Sequence, residues 1–269
     1  MADHNPIVLY RKLAGARVRS DWQYRASFVT LLVSQSLVVT MEFLAVVFVV
    51  RLVPSLGGWS ATEVAFLYAL AAVPFGLSDL IVGSVERTSR YVQSGKLDQV
   101  LLRPMPALAQ ILTLEFELRR VGKIIPPLAV GVWAVLNVNI EWTLGRGVVL
   151  AAAVVFGTAI YGSLWVIAGS FSFWAVASRE ATNALTYGAE AANRFPLHLY
   201  PGWVRATLGW SIPLAFVAYV PTQWLLNAAN PLGISPRLLW ATPAVVVAVI
   251  ALAATTWTAG IRHYESTGS

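Results

Sequence analysis

Apolar residues run along this chain in long, nearly unbroken stretches. The stretches cover about 26–50, 62–84, 121–138 and 148–174, and, after a broken region at about 181–228, a last one covers about 238–260. A helix needs about 20 predominantly apolar residues to cross a bilayer's hydrocarbon core. The pattern predicts a single all-α domain over 1–269, a polytopic membrane protein with six transmembrane helices.

The segments between the stretches are distinct in kind. In residues 1–23, Ile7, Leu9, Tyr10, Leu13 and Trp22 alternate with Arg11, Lys12, Arg17 and Arg19. This predicts an amphipathic helix lying on an anionic membrane surface. It has no apolar core before a small-residue cleavage site, so no cleaved signal peptide is expected and the first span stays as an anchor. A turn is expected at Pro54–Gly58, and 85–106 is polar. Residues 107–120 read as an amphipathic lead-in, interrupted by Glu115, Glu117, Arg119 and Arg120.

The fifth region is broken by Pro196, Pro201, Pro213 and Pro221, and Glu180, Glu190, Asn193 and Arg194 make its first part polar. Two arrangements fit. Either 181–199 crosses and 202–227 dips back as a re-entrant hairpin, or 181–208 lies inside and 209–227 crosses. The first is preferred. Irregular backbone at membrane depth is tolerated only where protein or water surrounds it, so the region points to a cavity or an inter-subunit contact.

Composition agrees with the pattern. Hydrophobic residues make up 57% of the chain and charged residues 12%, against about 25% charged in soluble domains. The net charge of +6 sits at span ends. That suits lipid headgroups and orientation, with no basic stripe for nucleic acid. The loops at 51–61, 139–147 and 229–237 carry only Arg51, Arg146 and Arg237. Both termini and the 85–106 segment are therefore expected on the cytoplasmic side. With no cysteine, disulfides and Cys-based metal sites are excluded.

Catalytic constellations are missing from the sequence. His4, His198 and His263 have no metal-ligand spacing, and neither a phosphate loop nor a nucleophile elbow occurs. The chain is not expected to be an enzyme by itself, nor to hold a cofactor. Glu42 and Asp79 stand inside spans, where a charge at the centre costs about 2.5–3.5 kcal/mol. Each either faces a transport pathway or pairs between helices, Asp79 also being able to reach headgroup water. Glu190 and Arg194 are four apart, so they share a helix face and either pair or touch substrate. Small residues from Ala151 to Gly162 suit close helix packing. Trp59, Trp142, Trp203 and Trp240 read as interfacial anchors.

The segment Tyr91-Val92-Gln93-Ser94-Gly95-Lys96-Leu97-Asp98-Gln99-Val100-Leu101-Leu102-Arg103-Pro104 resembles a stretch of the ABC-2-type transporter permeases, exporter-type chains of about this length. Gly169–Trp174, Phe195–Pro201, Ile212–Phe216 and Val220–Pro221 carry the resemblance through the second half. It implies a cytoplasmic coupling helix at about Ser84–Gln93, seated in a groove of a separate ATPase, with Gly95 and Pro104 shaping the turn out. Glu86, Arg87, Arg90, Tyr91, Gly95, Asp98 and Arg103 are then the coupling residues. Glu42, Asp79, Glu190 and Arg194 are candidates for the substrate pathway.

The resemblance further implies a dimer of ATPase subunits that binds the ATP and Mg, and a second permease subunit, identical or related. The location implied is a bacterial plasma (inner) membrane, and the cargo a hydrophobic or amphiphilic compound moved outward. An ion-coupled secondary transporter is the rival reading, although no internal repeat joins 1–130 to 131–269.

Overall fold

In a computed structural model of the chain, the described residues are 15, 25–52, 55–175 and 179–264. They form helices and turns with no named strand. The expected interfacial helix at 1–23, and His4 with it, falls outside the described residues apart from one position.

The helices are α1 (Arg25–Arg51), α2 (Ala61–Val82), α3 (Thr88–Gln93), α4 (Lys96–Leu101), α5 (Ala107–Leu114), α6 (Ile125–Asn137), α7 (Leu144–Ser170), α8 (Arg179–Asn193), α9 (Tyr219–Leu226) and α10 (Thr242–His263). Tight turns fill several joints, notably Gly83–Arg87 between α2 and α3 and Leu118–Lys123 before α6.

At the centre lies α2. A capping box starts it, the Ser60 hydroxyl accepting from the Glu63 N–H while Glu63 accepts from the Ser60 N–H at 2.7 Å. Of its apolar window 83% is buried, against 11% for α1, so α1 is a peripheral helix that presents most of its apolar surface outward. Pro74 in α2 meets α7 at Gly157, where an added Cβ would lie 3.0 Å from Pro74 and 3.1 Å from Val217. The small-residue stripe therefore lets α2, α7 and the segment before α9 approach closely.

Contacts fix the direction of each pass. The bundle has a charged end, carrying residues 83–123, and a loop end, carrying 55–60. Starting at the charged end, α1 donates from Ser36 to the Gly122 carbonyl at 2.9 Å, and it finishes beside Ala61. Returning, α2 ends at Asp79, which pairs with Arg120. The short α6 goes up to Trp133, in the same cleft as Ala61, and α7 comes back to Gly169 beside Val85. Helix α8 then rises along α7: Thr182 donates to the Ala168 carbonyl at 3.0 Å and Asn193 to the Tyr161 hydroxyl at 3.0 Å. Finally α10 descends to Gly260 and Trp257 against Phe173.

Between α8 and α10 the chain folds back on itself. Leu197–Leu199 lies against the Gly57 loop, and Ala229 accepts from the Trp59 indole at 2.9 Å. Between these points Gly202–Ser211 and Leu214–Leu226 meet at 69°, with Val217 reaching Gly157 deep in the bundle. The hairpin thus enters and leaves at the loop end.

One expectation is met in part, and one needs correction. Four helices among the described residues are by themselves long and apolar enough to cross a membrane, or five if the bent pair is one span, against the six expected. The shortfall lies in α6, whose 13 residues span about 20 Å, and α8, whose 15 span about 22 Å, against a hydrocarbon core of about 30 Å. Pro126 and Pro127 open α6 late, after the charged turn ending at Lys123. Trp59 is also no belt anchor. It is fully buried, stacked on Tyr219 with ring centres 5.5 Å apart and planes 9° apart. Trp142, Trp203 and Trp240 do stay exposed.

Candidate functional site

Two groups of charged side chains meet around a cleft at the junction of α1, α2, the pre-α6 turn and α8. The first lies at the charged end. Arg120 is the hub: it pairs with Asp79, with Glu86 at 3.1 Å and with Glu117 at 3.3 Å. Lys123 gives Asp79 a second partner at 2.8 Å. Arg87 bridges Glu115 and Glu117, and Arg119 adds 2.9 Å to Glu117. Tyr91 donates to Glu115 at 3.0 Å. Four carboxylates (Asp79, Glu86, Glu115, Glu117) face four cations (Arg87, Arg119, Arg120, Lys123), so the paired set is neutral. Neutrality is what lets Asp79 stand fully buried and Arg120 nearly so.

Backbone geometry makes room for this cluster. Gly83 packs so tightly that an added Cβ would fall on the Asp79 Oδ1 and the Arg120 Nη1. Gly122 allows the pre-α6 turn to abut α1, since a Cβ there would lie 3.1 Å from the Gln35 Cβ. Glu117 stands outside the spanning helices. Burial alone would raise its pKa, but the hydrogen bond from Arg119 and the charges of Arg120 and Arg87 outweigh it and hold the carboxyl below its ordinary range.

Deeper in the bundle lies the second group. Arg194, at the end of α8, pairs with Glu190 at 2.6 Å one turn back and with Glu42 of α1 at 2.7 Å. The same-face pairing of Glu190 with Arg194 and the helix-to-helix pairing of Glu42 are therefore both present. Glu190 is buried, whereas the Glu42 side chain keeps 38% of its surface. Tyr187, one turn before Glu190 on α8, reaches the first group: Lys123 donates to its hydroxyl at 3.1 Å and lies 5.0 Å from its ring centre. Between the groups is a cleft of about 180 Å³ lined by Glu42, Lys123, Tyr187, Glu190 and Arg194 together with Gln35, Phe75 and their apolar neighbours.

The residues named from the sequence divide between these places. Asp79, Glu86, Arg87 and Tyr91 belong to the charged cluster, and Glu42, Glu190 and Arg194 to the deep group. The helical path of α2 continues through Gly83–Arg87 into α3, so that Ala61–Gln93 is one helical stretch with its apolar part first and its charged part last. Gly95 has φ 66°, the left-handed conformation that frees the chain to turn into α4. Asp98 lies half-buried in the first turn of α4, while Arg90 and Arg103 are exposed. Sequence reasoning passed over Arg120, Lys123 and Tyr187. The density of charge from Glu115 to Lys123, directly before an apolar run, was the available signal.

A bundle of long apolar helices with buried ion pairs, a charged turn continuing one central helix and a cleft opening between helices has the architecture of a multi-pass membrane protein. A family profile described as ABC-2 family transporter protein matches residues 36–268, and the chain belongs to that family. It is thus a multi-pass membrane protein, the transport subunit type of ABC transporters. No curated protein and no solved structure matches the chain.

Proposed function

We propose that this chain is the permease half of an ATP-driven exporter. A separate ATPase dimer, which binds the ATP and Mg, docks beneath the charged end, and a second permease subunit completes the pore. The observation that carries this reading is the unbroken mechanical path from the α3 region to the cleft. Glu86 and Arg87 lie on the continuation of α2. Through Arg120, Asp79 and Lys123 they are tied to Tyr187, which shares helix α8 with Glu190 and lines the same cleft as Glu190, Arg194 and Glu42. A push on α3 and α4 would be felt at the cleft without crossing a soft joint, because buried ion pairs resist separation.

The docking surface differs in detail from the one read off the sequence. Glu86, Arg87 and Tyr91 hold the cluster together, so they transmit movement. Arg90, Lys96 and Arg103 are exposed and form a basic tip beside Leu102, which is 86% exposed. An acidic groove with an apolar floor on the ATPase would complement it. We read the chain as crossing six times, which puts this tip and both termini on the cytoplasmic side. In that topology the third crossing runs from Val121 through α6, α8 crosses with Leu197–Leu199, and the bent pair is re-entrant from the outer side. Both hairpin ends adjoining the Gly57 loop support this arrangement.

Purification of the tagged chain from its native membrane tests the proposal. A phosphate-loop ATPase and a second permease should accompany it, and its ATP hydrolysis should need the permease. A chain that travels alone and transports on an ion gradient would favour the secondary-transporter reading instead.

A further inference from the structure

The polar cleft does not stand alone. Farther along the same helices lies an apolar cleft of about 310 Å³, lined by Phe43, Val46, Val50, Val64, Ala65 and Trp133. The residues Gln35, Val39, Glu42, Val46 and Val50 recur every three or four positions, so one face of α1 serves both clefts. Opposite that face stand α2, with Phe75 below and Val64 and Ala65 above, and α6, with Pro127 below and Trp133 above. Together the clefts reach the roughly 300–1,000 Å³ of small-molecule sites. Since α1 is the least buried of the long helices, the seam it closes lies at the periphery of the chain.

The charges along this seam are unequal. Lys123 is already engaged by Asp79 and Tyr187 within the neutral cluster. What remains at the polar end is Arg194 with two carboxylates, one positive charge against two negative, while the exposed Arg51 stands at the far rim of the apolar cleft. Glu42 is the more open of the two, on the α1 face at the boundary between polar and apolar clefts.

From this we infer that the α1 seam is the substrate site, and that it takes an amphiphile with a cationic head, an ammonium or quaternary nitrogen, and one apolar tail. The head sits at Glu42 with the Phe75 and Tyr187 rings beside it, and the tail lies along Phe43, Val46 and Val50 towards Trp133. Head attraction is electrostatic, strengthened by partial burial. Tail affinity comes from removing apolar surface from water. The inference rests on the permease reading for its meaning as a transport site, but the binding it asserts does not need the ATPase.

The test uses the full chain in lipid nanodiscs and a dodecyl probe with a trimethylammonium head and a photoreactive diazirine near the tail end. A sulfate-headed probe with the same tail is the comparison. The ammonium probe should label peptides carrying 43–50 and 64–65 about tenfold more than the sulfate probe, the preference that one partly buried charge contact provides. Excess unlabelled dodecyltrimethylammonium should compete. Glu42→Gln should bring ammonium labelling down to the sulfate level, and Glu42→Asp should retain the preference, which separates loss of charge from loss of fold. Val46→Trp should block tail labelling with Glu42 intact. Equal labelling by both heads, or labelling untouched by Glu42→Gln, overturns the inference. Absence of any ATPase in pull-downs of the wild-type chain would instead overturn the permease reading and leave the labelling result standing.

Discussion

Arg120 holds Asp79 by both ends of the residue, pairing with its carboxylate and donating to its backbone carbonyl at 3.2 Å. The two are 41 positions apart, one at the end of α2 and one in the turn before α6. That contact fixes the level at which the third pass begins. It also explains why the charged turn can lie against the membrane bundle: each of its cations has an acidic partner.

Removing Arg120 should therefore be severe. Arg120→Leu leaves a fully buried Asp79 with Lys123 as its remaining ion-pair partner. Breaking one side of such a pair costs about 3–5 kcal/mol. The double variant Asp79→Asn with Arg120→Leu should lose less than the sum of the single changes, because the orphaned charge is gone. Thermal unfolding in detergent measures both. Strict additivity would refute the coupling.

Gly83 gives a sharper steric test. Its Cβ position is occupied by the Asp79 and Arg120 side chains, so Gly83→Ala must displace the ion pair. Overpacking of this kind costs about 1–3 kcal/mol. Gly147, in the first turn of α7, has nothing within 4 Å of its Cβ position. There alanine should be neutral or stabilising, by up to about 1 kcal/mol from helix propensity. Comparing the two melting curves separates room at the site from a general aversion to alanine.

Acid should weaken the charged end in a defined direction. The folded-state pKa of Glu117 is depressed, so its contribution is complete above the ordinary value of 4.5 and is lost as pH falls through the lower folded value. The melting-temperature gap between wild type and Glu117→Gln should be constant near neutrality and shrink as pH falls below that ordinary value. A gap that widens in acid would show that Glu117 is not held ionised by Arg119, Arg120 and Arg87.

How much of this was legible beforehand depends on range. The long helices α1, α2, α7 and α10 follow from unbroken apolar runs, and the Glu190–Arg194 pair from its spacing of four. Glu42 was visible as a charge in an apolar helix, but its partner Arg194 is 152 positions away and nothing local points to it. Trp59 looked like a headgroup anchor because it follows a Gly-rich turn. The tertiary stack on Tyr219 buries it instead. The third span was read from Val121, because Gly122 and the following isoleucines read as apolar, whereas its α-helix opens at Ile125. The charge of Lys123 and the two prolines after Ile125 delay the helix. Arg120 was read as an interruption and Lys123 was not singled out, since an excess of charge shows its purpose only when the matching carboxylates, Asp79 and Glu86, fold back onto it.

The last prediction separates residues that touch the ATPase from residues that carry its push. Arg90 and Arg103 are exposed, while Arg87 joins two carboxylates within the chain. Arg90→Glu with Arg103→Glu should leave the melting temperature nearly unchanged, within about 0.5 kcal/mol of stability as for other surface changes. The same variant should weaken ATPase association about tenfold and make it less sensitive to salt, as reversal of exposed interface charges does. Arg87→Glu should behave the other way round. It places a third negative charge beside Glu115 and Glu117, so the chain should melt early before any question of docking arises. The combination Glu86→Lys with Arg87→Glu strikes the same internal contacts, and its loss of coupling would come with loss of stability. Titrating purified ATPase onto immobilised variants, with melting curves from the same preparations, distinguishes the two classes. Full-strength ATPase binding by the Arg90 and Arg103 variant would remove the basic tip from the docking surface.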